Sequence, residues 1–224
     1  MNIAYDSLCD LLARRYSCRA FLPEPVPDDV LERIVKAAGH APSWWNAQPW
    51  AVTLTRGNET HRFREALMDA AQYDTARPDL AWPTAYPGLQ QTRRQEFERQ
   101  LHDAVGTPEG DCILREDLAA REVLFFDAPH VAIIHATAES GPYGALDCGG
   151  FVTAFMLAAT AQGVATIAQA SVAAYAPMIR TYFDLPENRL ILCAISLGYQ
   201  DRSAPENKFR TPRAALNEIY DPRG

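Results

Sequence analysis

Leu8, Leu11 and Leu12 recur at helical spacing, which predicts a helix over about Ala4 to Tyr16. Pro23, Pro25 and Pro27 then enforce an extended connection, because proline fixes its own φ and turns the preceding residue away from the α region. Asp28 and Asp29 put negative charge where a second helix would begin, and Val30, Ile34, Val35 and Ala38 line one face of it. Gly39 and Pro42 end that pattern. The run from Ala51 to Thr55 reads as a strand closed by Gly57, and Asn58 is placed to cap a third helix reaching about Gln72.

Periodicity weakens between Tyr73 and Gly110, where prolines and the aromatics Trp82, Tyr86 and Phe97 interrupt it, although Gln90 to Val105 keeps a charged helical character. A long irregular insertion of this kind is either a solvated excursion or a lid over a site. Beyond it, Arg115 to Phe126 reads as a helix, His130 to His135 as a strand, Leu146 to Gln162 as a long helix and Val164 to Ala168 as a strand. Tyr175 to Phe183 follows as a helix, and Leu190 to Leu197 as a central strand between Pro186 and Gly198. The pattern as a whole predicts one mixed α+β domain over residues 1–224, with four or five strands flanked by helices, a variable excursion at 73–121 and a C-terminal arm at 199–224. Ile219 and Tyr220 near the end of the arm imply that it packs on something, a second subunit being one choice.

From Phe151 to Ile179 there is no charged residue, a stretch longer than the roughly 20 residues that cross a bilayer. Its threonines and glutamines, with Gly163 and Pro177, favour a buried helix followed by a buried strand. A helix apolar on most faces wants partners all round, and a second copy of the chain would supply one.

Composition narrows the function classes. Hydrophobic residues make up 48% and charged residues 22%, which supports a real core. A net charge of −7 and a pI near 5.2 argue against nucleic acid as a partner. The five cysteines form no CxxC pair and are odd in number, which argues against a disulfide framework or zinc ribbon and fits a reducing, cytoplasmic setting. The N-terminal residues lack the basic and apolar regions of a secretory signal.

Against that acidic background two cationic clusters stand out, Arg14-Arg15-Tyr16-Ser17-Cys18-Arg19 and Lys208-Phe209-Arg210. Fixed positive charge held against the sign of the chain suits an anionic ligand, a phosphate above all. The histidines are scattered and offer no metal site. Cys18 lies beside Arg19, where a thiolate would be favoured, but no base is in view to make it a nucleophile. Nucleophile-elbow, P-loop, HExxH and GxGxxG patterns are absent. The run Ala41 to Trp50 packs Trp44, Trp45 and Trp50 with Asn46 and Gln48. Tryptophan offers flat stacking surface and the amides offer paired donors and acceptors, a set suited to a heteroaromatic ring.

Three ordered motifs carry a resemblance: Arg15-Tyr16-Ser17-Cys18-Arg19; Ala41-Pro42-Ser43 followed by Asn46, Gln48, Pro49 and Trp50; and Lys208 with Arg210. Together they resemble the nitroreductase family of FMN-dependent oxidoreductases. Pro25-Val26-Pro27-Asp28, Leu157-Ala158-Ala159 ahead of Gly163, and Ile195-Ser196-Leu197-Gly198-Tyr199 agree with it. A smaller similarity, in Tyr86-Pro87, Arg93-Arg94, Arg115-Glu116-Asp117 and Phe125-Phe126-Asp127-Ala128-Pro129, points toward members acting on nitroaromatic acids such as nitrobenzoate.

The resemblance implies a nitroreductase-like fold, with a central, mostly antiparallel sheet, helices on its flanks and a C-terminal extension crossing to a partner subunit. It implies a homodimer with FMN as cofactor and NADH or NADPH as electron donor. The reaction implied is ping-pong reduction of a small aromatic acceptor, a nitroaromatic or a quinone. It places Arg15, Tyr16 and Ser17 at the flavin phosphate and ribityl chain, Arg19 at the ring, and Lys208 and Arg210 at the phosphate. Pro42, Ser43, Asn46 and Gln48 would reach the flavin from the partner subunit, and the loop of Gln169, Ala170 and Ser171 would offer it backbone N–H groups. Trp44 and Trp45 are the candidate substrate wall, with Arg93 or Arg94 as a carboxylate partner. Ala168 and Ser171 depart from the proline and glycine that better-known members carry in that loop. Two alternatives stay open: a flavoenzyme of the same fold with dehalogenating or flavin-destroying chemistry, and a flavin-binding module without catalysis.

Overall fold

The computed structural model describes residues 2–106, 117 and 120–223. At its centre four strands form one antiparallel sheet in the order β1-β2-β4-β3. They are β1 (Trp50–Leu54), β2 (His130–Thr137), β3 (Ala165–Gln169) and β4 (Arg189–Gly198). The helices are α1 (Ile3–Arg14), α2 (Asp28–Ala38), α3 (Asn58–Tyr73), α4 (Leu89–Val105), α5 (Gly141–Ala161), α6 (Ala176–Tyr182) and the short α7 (Leu216–Ile219). The α+β architecture with an antiparallel sheet and flanking helices is the one the sequence predicts.

β2 explains why the sheet is central. Its side chains alternate between two cores, as a period of two requires. Val131 and Ile133 join Phe63 and Leu67 of α3, Phe125, Phe126 and Ile179 on one face. Ala132 and Ile134 join Leu31 and Ile34 of α2, Phe151 and Phe155 of α5, and Ile195 on the other. A strand buried on both faces reads as an uninterrupted apolar run.

Several boundaries differ from the expected ones. α5 begins at Gly141, five residues before Leu146, because Pro142 occupies the first turn, where its missing N–H is no loss. Gly57 precedes α3 in a left-handed conformation, so Asn58 is its first residue and not its cap. In α2 the buried face is Leu31, Ile34 and Ala38, with Val30 and Val35 at its edges. The helix expected to run to Phe126 stops earlier: Phe125, Phe126 and Asp127 form a left-handed turn with φ of 58°, 53° and 61°. The start of that helix, at Arg115, lies outside the described residues.

The segment Ala138–Ala161 has the length and composition of a membrane span. It packs one face, through Cys148, Phe151, Phe155 and Ala159, on α2 and the sheet. Tyr143, Leu146, Gly149, Gly150 and Thr153 on its other side are exposed in the single chain.

The two ends of the chain meet at the β3 edge. Ser17 bridges Thr166 in parallel, with the Cys18 N–H donating to the Thr166 carbonyl at 3.1 Å. Phe21 bridges Gln200, and the Asp201 N–H donates to Ala20 O at 3.0 Å. The tail therefore returns to the strand that follows α1.

Candidate functional site

Asn207 fastens this return. Its side chain is buried, with Oδ1 accepting the Arg19 N–H at 2.8 Å and Nδ2 donating to Ala20 O at 2.9 Å and Asp201 O at 2.8 Å. Arg121 adds a second tie, donating to Arg19 O at 2.8 Å and pairing with the buried carboxylate of Glu206. Backbone from both ends of the chain is thus held in one place.

The result is a cavity of about 220 Å³ lined by Arg15, Tyr16, Ser17, Arg19, Phe97, Phe209, Arg210 and Arg213, among others. The Arg210 guanidinium lies 3.6 Å from the Tyr16 ring centroid and donates to Asn207 O and Phe209 O. Arg19 sits over the Phe97 ring at 5.2 Å and donates to Ser17 O at 3.1 Å. Burial lowers the affinity of Arg15 and Arg19 for their protons, and Arg213 adds to the effect at Arg15. Among the described residues no carboxylate pairs with Arg15, Arg210 or Arg213. Three guanidiniums around one cavity, with no carboxylate paired to them among the described residues, have the chemistry that suits a phosphate dianion.

Of the residues expected at a phosphate and ring site, Arg15, Tyr16, Ser17, Arg19 and Arg210 converge here. Lys208 does not line the cavity; its ammonium is exposed and lies in the field of Asp201. Arg14 pairs with Asp10 at the surface. Phe97, Phe209 and Arg213 escaped the sequence reading, although Arg213 follows Arg210 by one helical turn's spacing in a basic tail. Cys18 is fully buried, its thiol donates to Ala20 O, and burial raises its pKa, which removes it as a nucleophile.

Gln169 is locked in place. Its Nε2 donates to Glu122 O at 2.9 Å and its Oε1 accepts from Ser196. Ala170 after it is exposed, and the Ser171 hydroxyl is buried without a hydrogen-bond partner. It faces a cavity of about 200 Å³ with Leu67, Trp82, Glu122, Val172 and Tyr175.

The tryptophan segment lies apart from both cavities. Trp44, Trp45 and Asn46 form a short turn, and Trp45, Asn46 and Gln48 hold positive φ of 53°, 56° and 46°. Three such residues in four positions are backbone strain of the kind that collects at functional sites. Ser43 Oγ accepts the Gln48 N–H at 2.9 Å, while Pro42, Asn46 and Gln48 are exposed. Trp44 leans on Tyr143 and Trp45 is 89% exposed. Trp50 is the one that fills core, stacked on Phe151. Arg93 pairs with Glu218 of α7, and Arg94 with Glu98 while lying over Tyr86.

The family model described as "Nitroreductase family" matches residues 12–199. The chain belongs to the nitroreductase family. Among its relatives it is 35% identical over 209 residues to nitroreductase NfnB of Mycolicibacterium smegmatis, covering 93% of this chain and 89% of that protein. It is 34% identical over 218 residues to the nitrobenzene nitroreductase of Ectopseudomonas oleovorans, covering 94% of each. In structure it superposes with a TM-score of 0.93 on the FMN-dependent nitroreductase NfnB from Mycobacterium smegmatis in complex with NADPH, at 33% identity over 99% of this chain and 100% of the other. The fold is therefore the nitroreductase fold, as the motifs implied, and the cationic cavity is formed from two of the motifs by which the family was recognised.

Proposed function

We propose that the protein is an FMN-dependent NAD(P)H oxidoreductase that reduces nitroaromatic acceptors. One observation carries the reading: Arg15, Ser17, Arg19 and Arg210, from opposite ends of the chain, surround a single cavity, and among the described residues no carboxylate pairs with Arg15 or Arg210. Relatives that are 35% and 34% identical are nitroreductases, and the structural neighbour is an FMN-dependent enzyme in complex with NADPH, which supports this chemistry over dehalogenation, flavin destruction or binding alone.

The residues present fit FMN. Arg15 and Arg210 would hold its phosphate and the Ser17 hydroxyl would donate to it. Arg19, buried against Phe97 and Phe209, would set a fixed positive charge near the ring. Gln169, pinned by Ser196 and Glu122 O, would present the exposed backbone of Ala170 and Ser171 to the flavin edge. When bound, FMN supplies the two-electron chemistry between the nicotinamide and the acceptor. We assign Lys208 to the rim of the phosphate site, where an exposed ammonium contributes long-range attraction.

We read the chain as one domain over 1–224 acting as a cytoplasmic homodimer. Pro42, Ser43, Asn46 and Gln48 are assigned to a partner's flavin because in the single chain they line none of the cavities that hold Arg15 or Ser171, yet their segment is strained at Trp45, Asn46 and Gln48. The exposed side of α5 supports the same assembly. Trp44 and Trp45 would wall the acceptor site, with Arg93 and Arg94 reaching it from the excursion at 73–121.

The test is a visible spectrum of the protein with FMN, followed by anaerobic titration with NADPH and with a nitroaromatic. Bleaching by the nicotinamide and recovery with the nitroaromatic is the expected result. Protein that stays colourless with FMN would overturn the reading.

A further inference from the structure

Back to back with the cavity just described lies a second one of about 430 Å³. The two share Ala13, Arg15, Tyr16 and Arg210 as a common wall. The second is closed by Arg14, Thr160, Gly163, Val164, Ala165, Thr166, Gln200 and Arg202. It therefore adds two guanidiniums, Arg14 and Arg202, to the two it shares, and among the described residues no carboxylate lines it. Arg14 is engaged at its far end by Asp10, and among the described residues Arg202 has no ion-pair partner.

A second observation points to a ligand. Thr166 is 2% exposed, and its hydroxyl is buried without any hydrogen-bond partner. Buried hydroxyls are nearly always satisfied, so an unmet one on a residue of the cavity lining marks a place where a ligand oxygen or water belongs. Gly163 beside it is left-handed at φ 75°, which lets the chain turn from α5 into β3 without a side chain filling the mouth. The wall between the cavities is rigid, since Arg210 stacks on Tyr16 and the Tyr16 hydroxyl donates to Gln200.

We propose that this second cavity is an anion site distinct from the flavin site, taking a phosphate dianion through Arg202, Arg14 and the Thr166 hydroxyl. This rests on the flavin reading, because it needs the first cavity to hold the FMN phosphate. Arg15 and Arg210 then stand between two dianions, and their charge serves both. The phosphate has two sources: inorganic phosphate, or the adenosine 2′-phosphate by which NADPH differs from NADH. The volume leaves room beyond one phosphate group in either case.

The experiment uses the FMN-loaded protein. Inorganic phosphate is titrated by calorimetry into wild type, Arg202→Ala and Thr166→Val, and KM for NADPH and for NADH is measured with and without phosphate. The proposal expects saturable phosphate binding, weakened about tenfold or more by Arg202→Ala, with FMN retention unchanged. Competition of phosphate with NADPH but not NADH, and an NADPH-specific rise in KM in Arg202→Ala, identify the nucleotide as the source. Binding that leaves both KM values alone identifies free phosphate. Thr166→Val keeps the shape and removes only the hydroxyl, so weaker phosphate binding in a folded, FMN-loaded variant separates a contact from a packing defect. No phosphate binding in the holoprotein together with unaltered NADPH and NADH kinetics in Arg202→Ala overturns the proposal. Loss of FMN itself in Arg202→Ala also overturns it, because the cavity would then be part of the flavin site. A wild-type protein that never takes up FMN refutes the underlying functional reading instead.

Discussion

The Arg210 guanidinium lies 3.6 Å from the centroid of the Tyr16 ring, joining the last cationic motif of the chain to the first. The pair forms one wall of the cationic cavity, and the Arg210 charge is held there by the Asn207 and Phe209 carbonyls. Arg210→Ala should weaken FMN binding by about 1.5–3 kcal/mol, the worth of a charge-assisted hydrogen bond. Arg210→Lys should recover only part of this, because an ammonium cannot stack flat and donate in a fork. A fluorescence titration of FMN measures both, and equal affinity in wild type and Arg210→Ala would contradict the phosphate assignment.

Much of this site was legible because its chemistry is written in residue type. Arg15 and Arg210 stand out in an acidic chain as fixed cations, and Ser17 lies beside the first of them as a hydroxyl donor. The strands β2 and β4 were legible as apolar runs bounded by turn residues. What was hidden depends on tertiary contact. Asn207 looks like an ordinary loop amide, and only the fold puts Arg19, Ala20 and Asp201 around it. Phe97 lies in a charged helix that gives no hint of facing Arg19. Gly141, Pro142 and Gly144 are poor helix formers by residue type, which hid the first turn of α5. The left-handed turn at Phe125 to Asp127 carries no glycine to announce it; burial of both phenylalanines holds it.

Asn207 is expected to matter out of proportion to its size. Asn207→Ala leaves the Arg19 N–H and the Asp201 carbonyl without that partner in a buried place, while Ala20 O keeps the Asp201 N–H; the cost is about 2–4 kcal/mol, at one to three for each unmet group after partial relaxation. Urea unfolding should show the loss as a lower midpoint. FMN should bind more weakly as well, since the Asn207 side chain holds the Arg19 backbone and the tail that carries Arg210 in register. Asn207→Asp keeps the acceptor for Arg19 N–H but removes both donors, so it should fall between wild type and Ala.

Asp79 anchors the start of the excursion to the sheet. Its carboxylate pairs with Arg180 at 2.5 Å and accepts the Ile191 N–H at 2.7 Å, with both charged side chains 12% exposed. Arg180 also donates to Arg189 O at 3.0 Å. Asp79→Ala strands a buried guanidinium and should destabilise the protein by about 3–5 kcal/mol, whereas Asp79→Leu combined with Arg180→Met should cost much less. The double-mutant cycle gives the coupling. Limited proteolysis of Asp79→Ala should cut between Asp74 and Gly88 sooner than in wild type; equal protection would show that other contacts hold the segment.

Two buried histidines make stability depend on pH. His130 accepts the Val26 N–H on Nε2 at 3.0 Å while Nδ1 faces Thr55 O at 3.2 Å, an arrangement that only the neutral ring with a proton on Nδ1 satisfies. Burial lowers its pKa, and burial followed by the nearby Arg189 pulls His135 down to about 4. In the unfolded chain both titrate near 6.5, so below that pH the unfolded state binds protons the folded state refuses. Stability is therefore full above about pH 6.5 and falls as pH drops toward 4, by at most about 1.4 kcal/mol per pH unit for each histidine. His135 faces Thr53 through Nε2 and leaves Nδ1 unpaired, so His135→Leu should remove its share of the slope without breaking a network. Unfolding free energies of wild type and His135→Leu at pH 7.5 and pH 5 measure this. The variant should lose less on acidification, and identical losses in the two proteins would place the acid sensitivity in other groups.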